Sequence, residues 1–192
     1  RVNVEGTMSL LKLAIEQLHG ALDAQGAPRG DARWLSEALV DRVGVFVEKS
    51  EQQTPQVNPY RIGTELMQRI GSGTLLVNDG AVILTRMFGV LRFSVPGAYA
   101  DTYPLGSMGM GTPLAIGAAV AERDFAADEN RAPRKVVLVT GDGSFGFYPS
   151  ELATAVIENL PITVIVANNR SWGNELIMQP AVIGRTLNAD LG

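Results

Sequence analysis

Two short segments carry residue types that could do chemistry. Gly141-Asp142-Gly143-Ser144-Phe145-Gly146 follows the apolar run Val136-Val137-Leu138-Val139, and Asn168-Asn169 closes a second run, Ile162-Thr163-Val164-Ile165-Val166. The first segment fits G-x-G-x-x-G between a strand and a helix, the setting of a dinucleotide-binding loop. Two features oppose that use. Asp142 would set a carboxylate against a pyrophosphate, and anions in contact repel unless a cation lies between them. The next strand should then end in an acid that accepts from ribose hydroxyls, yet it ends in the neutral amides of Asn168 and Asn169, whose oxygens suit a hard cation. A carboxylate at one strand end, an amide oxygen at its neighbour and a backbone carbonyl just past Asn169 begin an Mg2+ shell, with diphosphate oxygens filling most of the rest. The residues therefore read as a metal-bridged diphosphate site. An NAD-dependent dehydrogenase of the Rossmann type rests on the glycine pattern alone.

A scaffold must bring these segments together. The spacing predicts strands over 74–78, 135–140 and 162–167, alternating with helices from about Val82, over 112–122, and from Pro149 to about Asn159. A loop is expected over 96–111. Continuous apolar runs mark parallel strands covered on both faces. The expected fold is α/β: an open, mostly parallel sheet with helices on both faces. Right-handed crossovers then bring Gly141 and Asn168 to one edge of the sheet, where open α/β sheets bind ligands. The helix near Ser150 is expected to aim its N-terminal dipole at the diphosphate.

Upstream, Leu10, Leu11, Leu13, Ala14 and Leu18 predict a helix from Thr7 that stops at Gly20. A loop over 26–31, a second helix over 32–49 and the polar linker Ser50-Glu51-Gln52-Gln53-Thr54-Pro55 follow. Pro59 then opens a helix over 60–70. The domain boundary falls near residue 55. The mixed charges of 124–134 read as a solvated loop.

Composition narrows the function. A length of 192 residues allows one domain and a remainder, and 46% hydrophobic against 19% charged residues is a globular balance. Sixteen Lys and Arg against 20 Asp and Glu give a net charge of -4, which offers no broad positive field to nucleic acid. With no cysteine and His19 alone, thiol nucleophiles and multi-histidine zinc sites are excluded. No apolar run approaches the roughly 18 residues of a membrane span, and the N-terminus lacks a signal-peptide layout, so a cytoplasmic setting without a membrane partner is expected. The start at Arg1-Val2-Asn3-Val4 and the end at Asp190-Leu191-Gly192 suggest a fragment.

Gly141-Asp142-Gly143, followed after 24 residues by Asn168-Asn169, is similar to the thiamine diphosphate motif. The likeness continues through Asn78-Asp79-Gly80-Ala81, Gly106-Ser107-Met108-Gly109-Met110-Gly111 and Asn169-Arg170-Ser171-Trp172-Gly173. From about Asn58 onward the chain resembles the C-terminal, diphosphate-binding domain of the acetolactate synthase and benzaldehyde lyase family, here truncated at its C-terminus. Residues 1–55 resemble the end of that family's central domain and its linker. The resemblance implies that Asp142, the Asn169 side chain and the Ser171 carbonyl hold Mg2+. Gly141, Gly143, Ser144, the Gly80-Ala81-Val82 turn, Trp172 and Gly173 would line the coenzyme.

Met108 would be a wedge that bends the coenzyme, and the Gly106 carbonyl would accept from its exocyclic amine; these two are the catalytic assignments. Without the surrounding glycines, Met108 and Met110 would read as core fillers. The resemblance further implies a carboligase or decarboxylase of 2-keto acids or aldehydes, a homo-oligomer, and a glutamate supplied by an N-terminal domain, generally of the partner subunit. Glu151 reads as a first-turn dipole partner and not as that glutamate. The alternative is a split subunit or non-catalytic relative that only binds the coenzyme.

Overall fold

The computed structural model describes residues 11–26, 42–102 and 105–192. The chain divides after Val40, and α1 (Leu11–Ala24) belongs to the first unit. This helix runs straight through Gly20. A glycine inside a helix costs only about 1 kcal/mol and does not by itself end it. The proposed start of that helix at Thr7 and the stretch 27–41 lie outside the described residues.

The second unit, Asp41–Gly192, begins with α2 (Arg42–Glu51) and α3 (Pro59–Arg69). Asn58 joins the two. Its Oδ1 accepts from the Tyr60 amide at 3.0 Å as the N-cap of α3, and its Nδ2 donates to the carbonyls of Lys49 (2.7 Å) and Gln52 (3.2 Å) at the end of α2. Pro59 occupies the first helical position, where its missing N–H has no cost. Phe46 of α2 stacks on Tyr60 of α3 with ring centroids 5.8 Å apart, so the two helices pack on each other within the second unit.

A four-stranded sheet comes next, in the order β2-β1-β3-β4, with every neighbour pair parallel. The strands are β1 (Thr74–Asn78), β2 (Tyr99–Asp101), β3 (Lys135–Gly141) and β4 (Ile162–Ala167). Alternation sorts the side chains. Leu75, Val77, Val136 and Leu138 meet Ala115 and Ala119 of α5 (Gly111–Asp128) and Ala155 of α7 (Leu152–Ile157) on one face. Leu76, Val137 and Val139 meet Ile83 and Met87 of α4 (Val82–Phe88) on the other, with Ile62 and Leu66 of α3 beyond them. The α/β architecture with helices on both faces is as expected. Each wholly buried aliphatic side chain contributes about 1.5–3 kcal/mol through its removal from water.

Three elements differ from expectation. β2 lies inside the stretch assigned to a loop; it is three residues long, without an apolar run, and is fixed by pairing with Leu76, Val77 and Asn78 of β1. The helix expected over 112–122 continues as α5 to Asp128, so the run 124–134 is only partly loop. Its charges are organised: Glu122, buried on α5, accepts from Arg131 Nη1 (2.9 Å) and from Arg134 Nε (2.8 Å), Nη2 (2.5 Å) and backbone N–H (3.0 Å). These donors hold its carboxyl down at about 2. Finally, α8 (Gly173–Ile183) carries a proline, Pro180, inside a helix that no sequence pattern announced.

Candidate functional site

The carboxyl ends of β3 and β4 lie level, Gly141 pairing with Ala167, and β1 ends at the same edge with Asn78 opposite Val139. Each strand therefore releases its following residues at one edge. After β3 the chain forms a single helical turn, α6 (Asp142–Phe145), capped by Gly141 in an extended conformation and packed on β3, β4 and α5. That turn replaces the loop expected ahead of the helix near Ser150, which itself begins as a 3-10 turn over Pro149–Glu151. Ser144 is buried, whereas Asp142 is half-buried and its carboxylate has no hydrogen-bond or ion-pair partner among the described residues.

After β4, Asn168 and Asn169 each fold back on the chain. Their Oδ1 atoms accept from the amides of Arg170 (2.8 Å) and Ser171 (3.2 Å). Ser171 forms an isolated antiparallel bridge with Asp190, in which Trp172 N–H donates to Ala189 O (2.8 Å) and Leu191 N–H to Arg170 O (2.9 Å). In that pairing the Ser171 carbonyl points away from the 189–191 segment and accepts no hydrogen bond among the described residues.

Glycines show how tightly the loops meet. A Cβ on Gly143 would lie 2.7 Å from the Trp172 ring, and one on Gly173 would lie 2.7 Å from Asn169 Nδ2 and 3.0 Å from Val82 Cγ2. A Cβ on Gly80, whose φ is +96, would lie 3.1 Å from the Gly141 amide nitrogen. Gly109, with φ +87, would place a Cβ 2.7 Å from Phe147 Cβ, and Phe147 meets Trp172 edge to face at 5.9 Å. The structure thus brings Gly80, Val82, Gly141, Gly143, Asn169, Trp172 and Gly173 into one contiguous patch. Ala81 caps α4 beside them. Gly106 and Met108 stand apart: Gly106, with φ +62, has open space on its side-chain side, and Met108 is 40% exposed.

A residue of the segment Asn78-Asp79-Gly80-Ala81 to which the sequence assigned no role anchors that outlying loop. Asp79, at the end of β1 and 1% exposed, accepts from the Gly80 amide through Oδ1 (2.6 Å) and from the Gly109 (3.1 Å) and Gly111 (2.8 Å) amides through Oδ2. The strand-end rule that singled out Asp142 would also have found it. Next to Asp79, the buried Asn78 amide and Tyr99 hydroxyl make no hydrogen bond of normal geometry. Burial pushes the Tyr99 phenol up, with Asn78 beside it acting the other way.

The donor chemistry fits a cation shared with a ligand. No three His, Cys, Asp or Glu side chains cluster among the described residues, so side chains alone cannot complete a metal shell here. A free carboxylate (Asp142), an amide oxygen (Asn169) and a free backbone carbonyl (Ser171) are hard donors that leave positions for ligand oxygens. Also among the described residues, no helix is long and apolar enough to cross a membrane.

Fold and site define an α/β protein that presents hard oxygen donors at the carboxyl edge of a parallel sheet. Residues 82–189 match the thiamine pyrophosphate enzyme C-terminal TPP-binding domain, and the chain belongs to that family. It is 29% identical over 175 residues to an acetolactate synthase large subunit of Mycobacterium tuberculosis, covering 90% of this chain and 29% of that protein. It is 29% identical over 143 residues to mouse 2-hydroxyacyl-CoA lyase 1, covering 72% of this chain and 24% of the relative. Its fold resembles that of Rhodococcus jostii RHA1 thiamine diphosphate-dependent 4-hydroxybenzoylformate decarboxylase, with a TM-score of 0.62 at 22% identity over 73% of this chain and 25% of that one. The chain thus spans about a quarter of the length of these relatives.

Proposed function

We propose that this chain is the diphosphate-holding part of a thiamine diphosphate- and Mg2+-dependent carboligase or decarboxylase that acts on 2-keto acids, of the acetolactate synthase type. One observation carries the reading: the Asp142 carboxylate stands unpartnered at the end of β3, on the edge where β4 releases Asn169 and Ser171. Asp142, Asn169 Oδ1 and the Ser171 carbonyl hold Mg2+. Gly143, Ser144 and the Gly80-Ala81-Val82 turn orient the diphosphate, and Trp172 covers the turn against water. Met108 presses against the coenzyme from its exposed loop, and the Gly106 carbonyl accepts from its amine. When bound, the coenzyme supplies an electron sink for breaking or forming a bond beside a carbonyl.

The glutamate that activates the pyrimidine side comes from another domain or subunit in this reading, which makes the working enzyme a homo-oligomer. A soluble cytoplasmic location accords with it. The dehydrogenase alternative loses support at the end of β4, where the neutral amides of Asn168 and Asn169 stand in place of the acid that would accept from ribose hydroxyls. Calorimetric titration of the protein with thiamine diphosphate, with and without Mg2+, tests the proposal. Asp142→Ala is expected to abolish the Mg2+-dependent binding while leaving the melting curve close to the parent's. Equal affinity in parent and variant refutes the metal assignment, and binding of NAD in the presence of chelator refutes the coenzyme.

A further inference from the structure

Met108 and Gly106 sit on the most exposed part of the site, yet their work requires a fixed position. Nothing lies within 4 Å of a Cβ built on Gly106, Leu105 is 89% exposed, and Met108 is 40% exposed. The loop is anchored on the side that follows Met108. There the Gly109 and Gly111 amides, one and three residues beyond it, both donate to Asp79 Oδ2. Gly111 packs so closely that a Cβ on it would lie 2.5 Å from Asp79 Cβ. The other oxygen is held by the Gly80 amide and, at 3.4 Å, by the Thr102 hydroxyl. Asp79 is itself fixed to the sheet, its N–H donating to Val139 O at 2.9 Å. No Lys or Arg pairs with it among the described residues, so backbone amides compensate the buried carboxylate.

We infer that Asp79 is the positioning residue of the Met108 loop: its carboxylate binds the Gly109 and Gly111 amides and thereby sets where Met108 and the Gly106 carbonyl meet the coenzyme. The same side chain joins that loop to the diphosphate side, since Gly80, which it also holds, abuts Gly141. The inference rests on the thiamine diphosphate reading above, but the clamp itself exists with or without coenzyme. Asp79→Asn tests it. The amide side chain has nearly the same shape, yet it offers only one accepting oxygen where two are used and turns an NH2 group toward backbone donors.

Hydrogen exchange on the coenzyme-free protein gives the first readout. Hydrogen bonds to a charged group shift equilibria by about ten- to a hundredfold, so the Gly109 and Gly111 amides of Asp79→Asn are expected to exchange faster by that factor while the β3 amides keep their rates. On the loaded protein, the affinity for thiamine diphosphate with Mg2+ is expected to stay within about threefold, because Asp142 is untouched. The circular dichroism of the bound coenzyme should change and kcat fall by at least about tenfold, with little effect on KM. Unchanged exchange at both glycines, or an unchanged coenzyme spectrum, overturns the inference. If the variant does not fold, the parent decides: Gly109 and Gly111 amides that exchange as fast as those of residues 105–108 refute the clamp, and slow exchange upholds it. Failure of the parent to bind thiamine diphosphate sinks the functional reading alone and leaves the exchange result to judge Asp79.

Discussion

Replacing Glu122 by glutamine should destabilise the second unit in a way that depends on pH. Its carboxylate draws together the C-terminal part of α5, Arg131, and Arg134 just before β3, and Arg134 Nη1 reaches on to the Gly97 carbonyl at 3.0 Å, two residues before β2. Glu122 releases its proton near 2 in the folded chain against an ordinary 4.5. The unfolded chain therefore binds more protons between those values. The stabilisation is complete above about pH 4.5 and fades as the pH falls toward 2. That interval, at about 1.4 kcal/mol per pH unit, sets a ceiling of about 3 kcal/mol. The side chains of Arg131 and Arg134 keep 35% and 21% of their surface in water, and the resulting screening brings the expected effect to about 2 kcal/mol.

Neutral glutamine retains some of the hydrogen bonds but none of the titration. At pH 7 a melting point lower by about 4–8 °C is expected for a unit of this size. Urea midpoints taken from pH 7 down to pH 3 provide the check, with the parent and Glu122→Gln curves converging on the acid side. A gap that stays constant over that range would show that the ion cluster contributes shape and not charge.

Two further substitutions probe the packing of the site and its surroundings. Gly143→Ala places a methyl group 2.7 Å from the Trp172 ring, so the indole must shift; a loss of about 1–3 kcal/mol in a urea titration and weakened thiamine diphosphate binding by calorimetry are expected, and wild-type values for both would mean the two loops are not in contact. Tyr99→Phe removes a buried hydroxyl that makes no hydrogen bond of normal geometry, so stability should hold or rise by up to about 1 kcal/mol; a loss above that would reveal a partner, such as Asn78 or an internal water, on which the hydroxyl depends.

Features carried by local pattern were legible in the chain. β1 and β3 are buried on both faces and so write themselves as apolar runs, β4 carries a similar run although it is only half-buried at the sheet edge, and the shared carboxyl edge follows from parallel pairing. What escaped depends on distant partners. Tyr99-Ala100-Asp101 has no strand signature of its own and becomes β2 only by lying against β1. The charges of Arg131 and Arg134 look solvent-bound until Glu122 is seen on the helix that precedes them. Gly143 fits a phosphate-loop pattern, but the space beside it belongs to an indole 29 positions later. Asp79 could be placed at a strand end, but its role could not be read, because its partners are the backbone amides of residues 30 and 32 positions away and an amide has no residue type.

The two acids at the strand ends illustrate how one residue type serves two ends. Asp79 and Asp142 both follow a strand of the same sheet at the same edge. Asp79 is buried, and its oxygens are occupied by amides of its own chain, which leaves nothing for a ligand and fixes a loop instead. Asp142 is half-buried on a single helical turn, with its carboxylate unengaged. A carboxylate left unsatisfied repels an anion and attracts a hard cation, so of the two acids Asp142 is the one that the proposed function assigns to the metal. The division of labour follows from donor supply: where the fold provides amides the acid becomes structure, and where it provides none the acid remains open to an external cation.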